Sequence, residues 1–142
     1  MSPLSKLIAV SNVFCKMMHF VKEGDVEVGH CHNYDHATLV SFGSVLYEVL
    51  DGPNGNTVAS KRVDAPNLIF VDKDKFHRIT ALKDDTVCAC IHALRTIDED
   101  IIDPSFLIEP MESYNSGELK KHIKDATGKD WLPFVPLSGI AK

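Results

Sequence analysis

Between residues 13 and 95 the chain is a succession of short apolar runs, each closed by a turn signal. The runs cover 13–21, 26–32, 37–42, 44–50, 57–63, 68–71, 76–82 and 86–95. None is long enough for a helix of ordinary length, and several alternate with a period of two. In one of them Val26, Val28, His30 and His32 fall on one side, and Glu27, Gly29 and Cys31 on the other. A strand sends successive side chains to opposite faces, so this alternation reads as half-buried β-structure. The punctuation agrees. Lys22-Glu23-Gly24-Asp25, Asp51-Gly52-Pro53-Asn54-Gly55-Asn56 and Lys83-Asp84-Asp85 are rich in residues that favour tight turns. Many short strands at regular spacing predict an all-β sandwich or barrel of the jelly-roll kind. The chain has 142 residues, 44% of them hydrophobic, which suits one domain spanning 1–142 with a real core.

The pattern changes after Arg95. Asp98-Glu99-Asp100 and Asp103-Pro104 interrupt it. Asn115, followed three residues later by Glu118, resembles a capping box. Leu119, Ile123 and Ala126 recur at helical spacing, and Gly128 is a suitable stop. One amphipathic helix over about 116–127 is expected, packed on a barrel spanning about 13–95. The remainder, from about residue 113 to 142, ends in an apolar, proline-rich tail beginning Trp131-Leu132-Pro133. An extended tail covering the barrel or a neighbouring subunit is expected.

A net charge of −5 and scattered lysines argue against nucleic acid, whose binding rests on cations at phosphates. The run Leu7-Ile8-Ala9-Val10 is far too short for a membrane span, so a cytoplasmic protein without a membrane partner is expected. Four cysteines, Cys15, Cys31, Cys88 and Cys90, make no disulfide framework in a chain of this size, and reduced thiols are expected.

The chemistry sits in the histidines. His30 and His32 share a strand face, and a turn at Asn33-Tyr34-Asp35 can bring His36 back toward them. His77 lies about forty residues on, in another apolar run. Imidazole is the commonest protein ligand for the divalent transition metals. His30, His32, His36 and His77 are therefore the candidate metal ligands. Tyr34, in the turn between them, and His92, on one strand face with Cys88 and Cys90, are candidate pocket residues. His19 and His122 have no evident partner, and the facing of Tyr47 and Glu48 is left open. Arg78 follows His77 and is expected to point outward.

Gly24, His30, His32, His36 and Gly43 match every spacing of the first cupin motif, with His36 where the family usually carries glutamate. In the second motif the histidine matches His77. Its proline and glycine fall at Asp72 and Asp74, its leading glycine at Pro66 and its trailing asparagine at Ala81. Over residues 13–95 the chain thus resembles the cupins, specifically single-domain members that bind metal through four histidines. The resemblance implies a double-stranded β-helix of six to eight strands, a metal inside one mouth, Fe or Mn as the favoured ion with Ni or Zn possible, and a homodimer.

Four neutral imidazoles leave a divalent ion its full charge, which favours anionic ligands at open positions. An octahedral ion would keep two such positions, whereas tetrahedral Zn would keep none and make the site structural. The expected function is a small metal-dependent, oxygenase-like enzyme acting on a small anionic or bidentate molecule. The alternatives are a lyase or isomerase using the ion as a Lewis acid, and a cupin that binds metal or ligand without turnover. Thiol dioxygenases also use histidines without a carboxylate, but they carry a thiol near the position of Ala37, and this chain has none there.

Overall fold

The computed structural model describes residues 1–30, 34–113 and 117–132, excluding the side chains of Gly29 and His30. Ten strands and one helix are seen among these residues: β1 (Leu4–Ser11), β2 (Val13–Phe20), β3 (Val26–His30), β4 (His36–Phe42), β5 (Ser44–Leu50), β6 (Thr57–Asp64), β7 (Asn67–Val71), β8 (Phe76–Ala81), β9 (Thr86–Ala93), β10 (Leu107–Ser113) and α1 (Gly117–Thr127). They form a six-stranded sheet in the order β10-β1-β2-β9-β4-β7 and a four-stranded sheet in the order β3-β8-β5-β6. Every pairing is antiparallel. The expected all-β architecture with one short C-terminal helix is the architecture observed.

The alternation in the sequence decides what fills the space between the sheets. Met18 and Phe20 of β2, Val40 of β4, Cys88 and Cys90 of β9, and Ile79 and Ala81 of β8 are buried there. Tyr47 faces inward with them, while its neighbour Glu48 faces outward. Outside, Glu48 accepts hydrogen bonds from Arg78 Nε (3.0 Å) and Thr57 Oγ1 (2.6 Å), and these hold its carboxyl below the usual range. Arg78 points outward, as expected. Cys15, Cys88 and Cys90 are free thiols, and burial pushes Cys88 up to about 12 and Cys90 up to about 11.

The two sheets meet along a seam between β2 and β3, which share no backbone ladder. Lys16 Nζ of β2 reaches Glu27 Oε2 of β3 at 2.8 Å, and Val26 N–H donates to the Met1 carbonyl at 2.9 Å. The first contact bridges that seam, and the second ties β3 to the residues ahead of β1.

A second core lies beside one end of the barrel. Ala9, Phe14, Leu94, Ile102, Leu119, Ile123 and Trp131 pack together there. Leu119 and Ile123 supply the buried face of α1, but Ala126 is exposed, so the apolar stripe is narrower than the spacing suggested. Gly128 ends the helix at φ +73° and donates its N–H to the Lys124 carbonyl at 2.9 Å. Asn115, the expected cap, and the tail beyond residue 132 lie outside the described residues.

The sheet extends beyond the expected limits of 13–95. Strands β1 and β10 add to it from before and after that span. Their sequences, Leu4-Ser-Lys-Leu-Ile-Ala-Val-Ser11 and Leu107-Ile-Glu-Pro-Met-Glu-Ser113, are mixed in polarity because both lie mostly at the surface. Pro110 is tolerated because β10 is an edge strand, where a missing N–H disturbs no inner ladder.

Candidate metal centre

The backbone of His30 and the rings of His36 and His77 come together at one end of the barrel. In the antiparallel β3–β8 pair, His30 lies opposite His77. His36 opens β4 in the other sheet, and its ring centroid lies 5.9 Å from that of His77. Both are buried, at 7% and 1% exposure. Local bonds set this distance. Asp35, just before His36, accepts the Lys73 N–H at 2.7 Å, which ties the start of β4 to the turn preceding His77. That turn runs through Asp74 at φ +59°, at the position where the cupin motif carries glycine. Aspartate tolerates the left-handed region better than most residues, so the turn survives the change.

The residues suit a divalent ion. An imidazole nitrogen binds at about 2.1 Å, which puts each ring centre roughly 3 Å from the ion and two ring centres no more than about 6 Å apart. The His36–His77 separation falls within that limit. His77 Nδ1 lies 3.3 Å from the Lys75 carbonyl oxygen, so donating from Nδ1 turns Nε2 toward the site, as an outer-sphere partner does for a metal ligand. Among the described residues no three His, Cys, Asp or Glu side chains form a complete cage. His32 and the side chain of His30 lie outside them, as does Cys31.

The pocket candidates line the same space. His92 of β9 is 2% exposed and stacks between Phe14 (4.5 Å, 14°) and His36 (4.3 Å, 26°). It faces the barrel interior with Cys88 and Cys90. Tyr34 stands edge-on to His92 at 5.6 Å, and burial pushes its phenol well above the ordinary range. Tyr47 approaches His77 at 6.0 Å, and burial pushes its phenol up to about 12. Both hydroxyls therefore stay protonated at neutral pH. Phe14 in turn meets Trp131 edge-on at 5.4 Å, so the start of the tail packs behind this cluster. His19 lies far from it, exposed and 2.9 Å from Asp85.

Two groups of this neighbourhood escaped the sequence reading. Tyr47 had no assigned face, and the β5–β8 register supplied it by setting Val49 opposite His77. Arg95 was read only as the end of the strand pattern. Its Cζ lies 5.4 Å from the centroid of the Tyr34 ring. Its spacing of three from His92 puts it on the opposite face of an ideal strand, so the sequence carried no signal for it.

No protein-family model matches the chain, and no curated protein is similar to it. Solved structures are similar in shape. A protein of Bacillus halodurans matches with a TM-score of 0.55 at 14% identity, covering 66% of this chain and 71% of its own. An RmlC-like cupin with a double-stranded β-helix fold from Methanocaldococcus jannaschii matches at 0.53 and 12%, covering 65% and 80%. An uncharacterised protein of Klebsiella pneumoniae with a double-stranded β-helix domain matches at 0.53 and 15%, covering 65% and 76%. Identities this low speak for the fold alone. With two antiparallel sheets closed face to face, this chain has the double-stranded β-helix fold seen in these structures.

Proposed function

We propose that this chain is a small metal-dependent cupin enzyme, with His30, His32, His36 and His77 holding a divalent ion and a small anionic or bidentate molecule as substrate. The observation that carries the reading is the convergence of His36 and His77, 5.9 Å apart and buried, with His30 opposite His77. When bound, such an ion supplies a Lewis acid or a redox centre. We take Fe or Mn as the working ion, with Ni or Zn competing for it, and oxygenase-type turnover ahead of lyase or isomerase chemistry. The protein is read as cytoplasmic, and no helix among the described residues is long and apolar enough to cross a membrane.

The chain's own residues supply the rest. The stack of Phe14 on His92 and of His92 on His36 fixes the orientation of the His36 ring. Tyr34 and Tyr47 remain phenols and can donate to an anionic substrate without titrating at neutral pH. The apolar core below Cys88 and Cys90 keeps bulk water from that side. A second reading, binding without turnover, is favoured by one observation: Trp131 and Phe14 close the space behind His92.

A homodimer is part of the proposal. Two rows of residues cross the outer face of the six-stranded sheet in register. Phe70, Ala37, Ile91, Cys15 and Ile8 form one, and Leu68, Leu39, Ala89 and Met17 the other. Phe70 and Leu68 are 66% and 61% exposed. A contiguous apolar face of this kind marks an association surface, and a second copy supplies a matching one.

The test is the metal content of protein purified without added metal, wild type against His77→Ala. The wild type is expected to carry close to one divalent ion per chain, and the variant to lose most of it. Undiminished occupancy in the variant would sink the ligand set. Oxygen uptake by the Fe-loaded protein against small β-diketones, thiols and hydroxy acids then separates the reactions. Silence across that panel favours Lewis-acid chemistry or binding alone.

A further inference from the structure

The geometry points to a second recognition group at the rim of the histidine cluster: we propose that Arg95 anchors a carboxylate of a small organic acid whose other end faces the histidines. The inference names the ligand class of the site proposed above, and rests on that reading only for what meets the acid's far end.

The chain has three arginines. Arg62 and Arg78 each hold a carboxylate, Asp64 at 3.1 Å and Glu48 at 3.0 Å. Arg95 does not. Its side chain is half-buried, and its Nη1 is buried with no hydrogen-bond acceptor among the described residues. A guanidinium taken partly out of water without a counter-charge is costly to keep, and an incoming anion removes that cost. Its position is held from the backbone. The Arg95 carbonyl accepts the Leu132 N–H at 2.9 Å, and Arg95 bridges to Ile101. The Tyr34 ring lies beneath the guanidinium, with 5.4 Å from Cζ to the ring centre, a cation–π arrangement that leaves the in-plane N–H fork for a ligand.

The same tyrosine carries the argument to the cluster. Tyr34 meets His92 edge-on at 5.6 Å, and His92 stacks on His36 at 4.3 Å. Arg95 follows His92 by three residues, past the end of β9, so it stands outward of the histidines. A planar fork matches the two oxygens of a carboxylate, which a point charge such as lysine does not. In a chain of net charge −5 a cation at this place also draws an acid toward one mouth rather than to the surface at large.

The experiment is calorimetric titration of the metal-free protein with succinate, with dimethyl succinate and inorganic phosphate as controls. Wild type is expected to bind succinate saturably and to ignore the ester. Arg95→Gln should weaken binding about tenfold or more, and Arg95→Lys should fall between, because it keeps the charge and loses the fork. The proposal is overturned if Arg95→Gln binds succinate like wild type, if wild type shows no saturable binding, or if phosphate binds more tightly than succinate. Melting temperatures of both variants are measured alongside. A merely structural Arg95 would lower them while leaving succinate affinity unchanged. Should Arg95→Gln fail to fold, Arg95→Lys against wild type decides. Metal analysis of the wild-type protein as purified, before the ion is stripped for the titration, keeps the two readings apart: missing metal at that stage tells against the proposed centre and leaves the succinate comparison standing.

Discussion

Single residues show why the motif spacing survives while some identities change. Gly43 closes the first motif at φ +84°, and a Cβ added there would fall 2.9 Å from the Thr86 Cα. Both the backbone conformation and the close approach of β9 require glycine. Gly43→Ala should therefore lower stability by about 1–3 kcal/mol, read as a drop in the urea midpoint. A midpoint equal to wild type would show that β4 and β9 can separate locally at no cost. Asp74 makes the contrast. It also sits at positive φ where the family has glycine, but the sequence already showed it to be a good turn residue, and the turn forms. The candidate ligands were legible at this scale because spacing is a property of the chain. The inward face of Tyr47 and the reach of Arg95 were not, since a neighbouring strand sets each of them.

At the scale of elements, all eight runs between 13 and 95 became strands, within about two residues at each end. Period-two alternation survives in β4 and β8, where one face packs on the core and the other meets a different environment, whereas β6 is exposed at every position but Val63. Strands β1 and β10 were not legible: β10 is an edge strand that admits Pro110, and β1, though paired on both sides, buries only Ala9 and so shows no alternation. The same accounting explains the seam. No ladder joins β2 to β3, so the Lys16–Glu27 pair holds the sheets there, with the two side chains 24% and 13% exposed. Glu27→Gln leaves the lysine partly buried without its counter-charge, and should cost about 1–2 kcal/mol, less than a fully buried pair because water still reaches it. Thermal unfolding of Glu27→Gln checks this, and Lys16→Met with Glu27→Leu should recover much of the loss. If the double change is as unstable as the single one, packing rather than charge holds the seam.

The whole molecule has two kinds of surface around one barrel. One end carries the histidine cluster, backed by the second core of α1, Phe14 and Trp131. The outer face of the larger sheet carries the apolar rows, continued by a shallow groove lined by Leu4, Lys6, Met17 and Val87. If that face is the dimer contact, Phe70→Glu combined with Leu68→Glu should turn a dimer into a monomer, measured by light scattering on a sizing column. The circular dichroism of the fold should be unchanged, because both side chains are exposed. A dimer that persists in this variant would move the contact to a sheet edge or to the tail.

The amino-acid sequence by itself determined where strands begin and end, which turns join them, and which histidines have metal-site spacing. These follow from local rules: side-chain alternation, turn preferences and counted intervals. Tertiary structure alone decided which faces point inward. It placed His92 against His36, turned Tyr47 in and Glu48 out, and carried Arg95 over Tyr34. The physical reason is register. A shift of one residue between paired strands reverses every side chain, and register is set by the packing of all ten strands together.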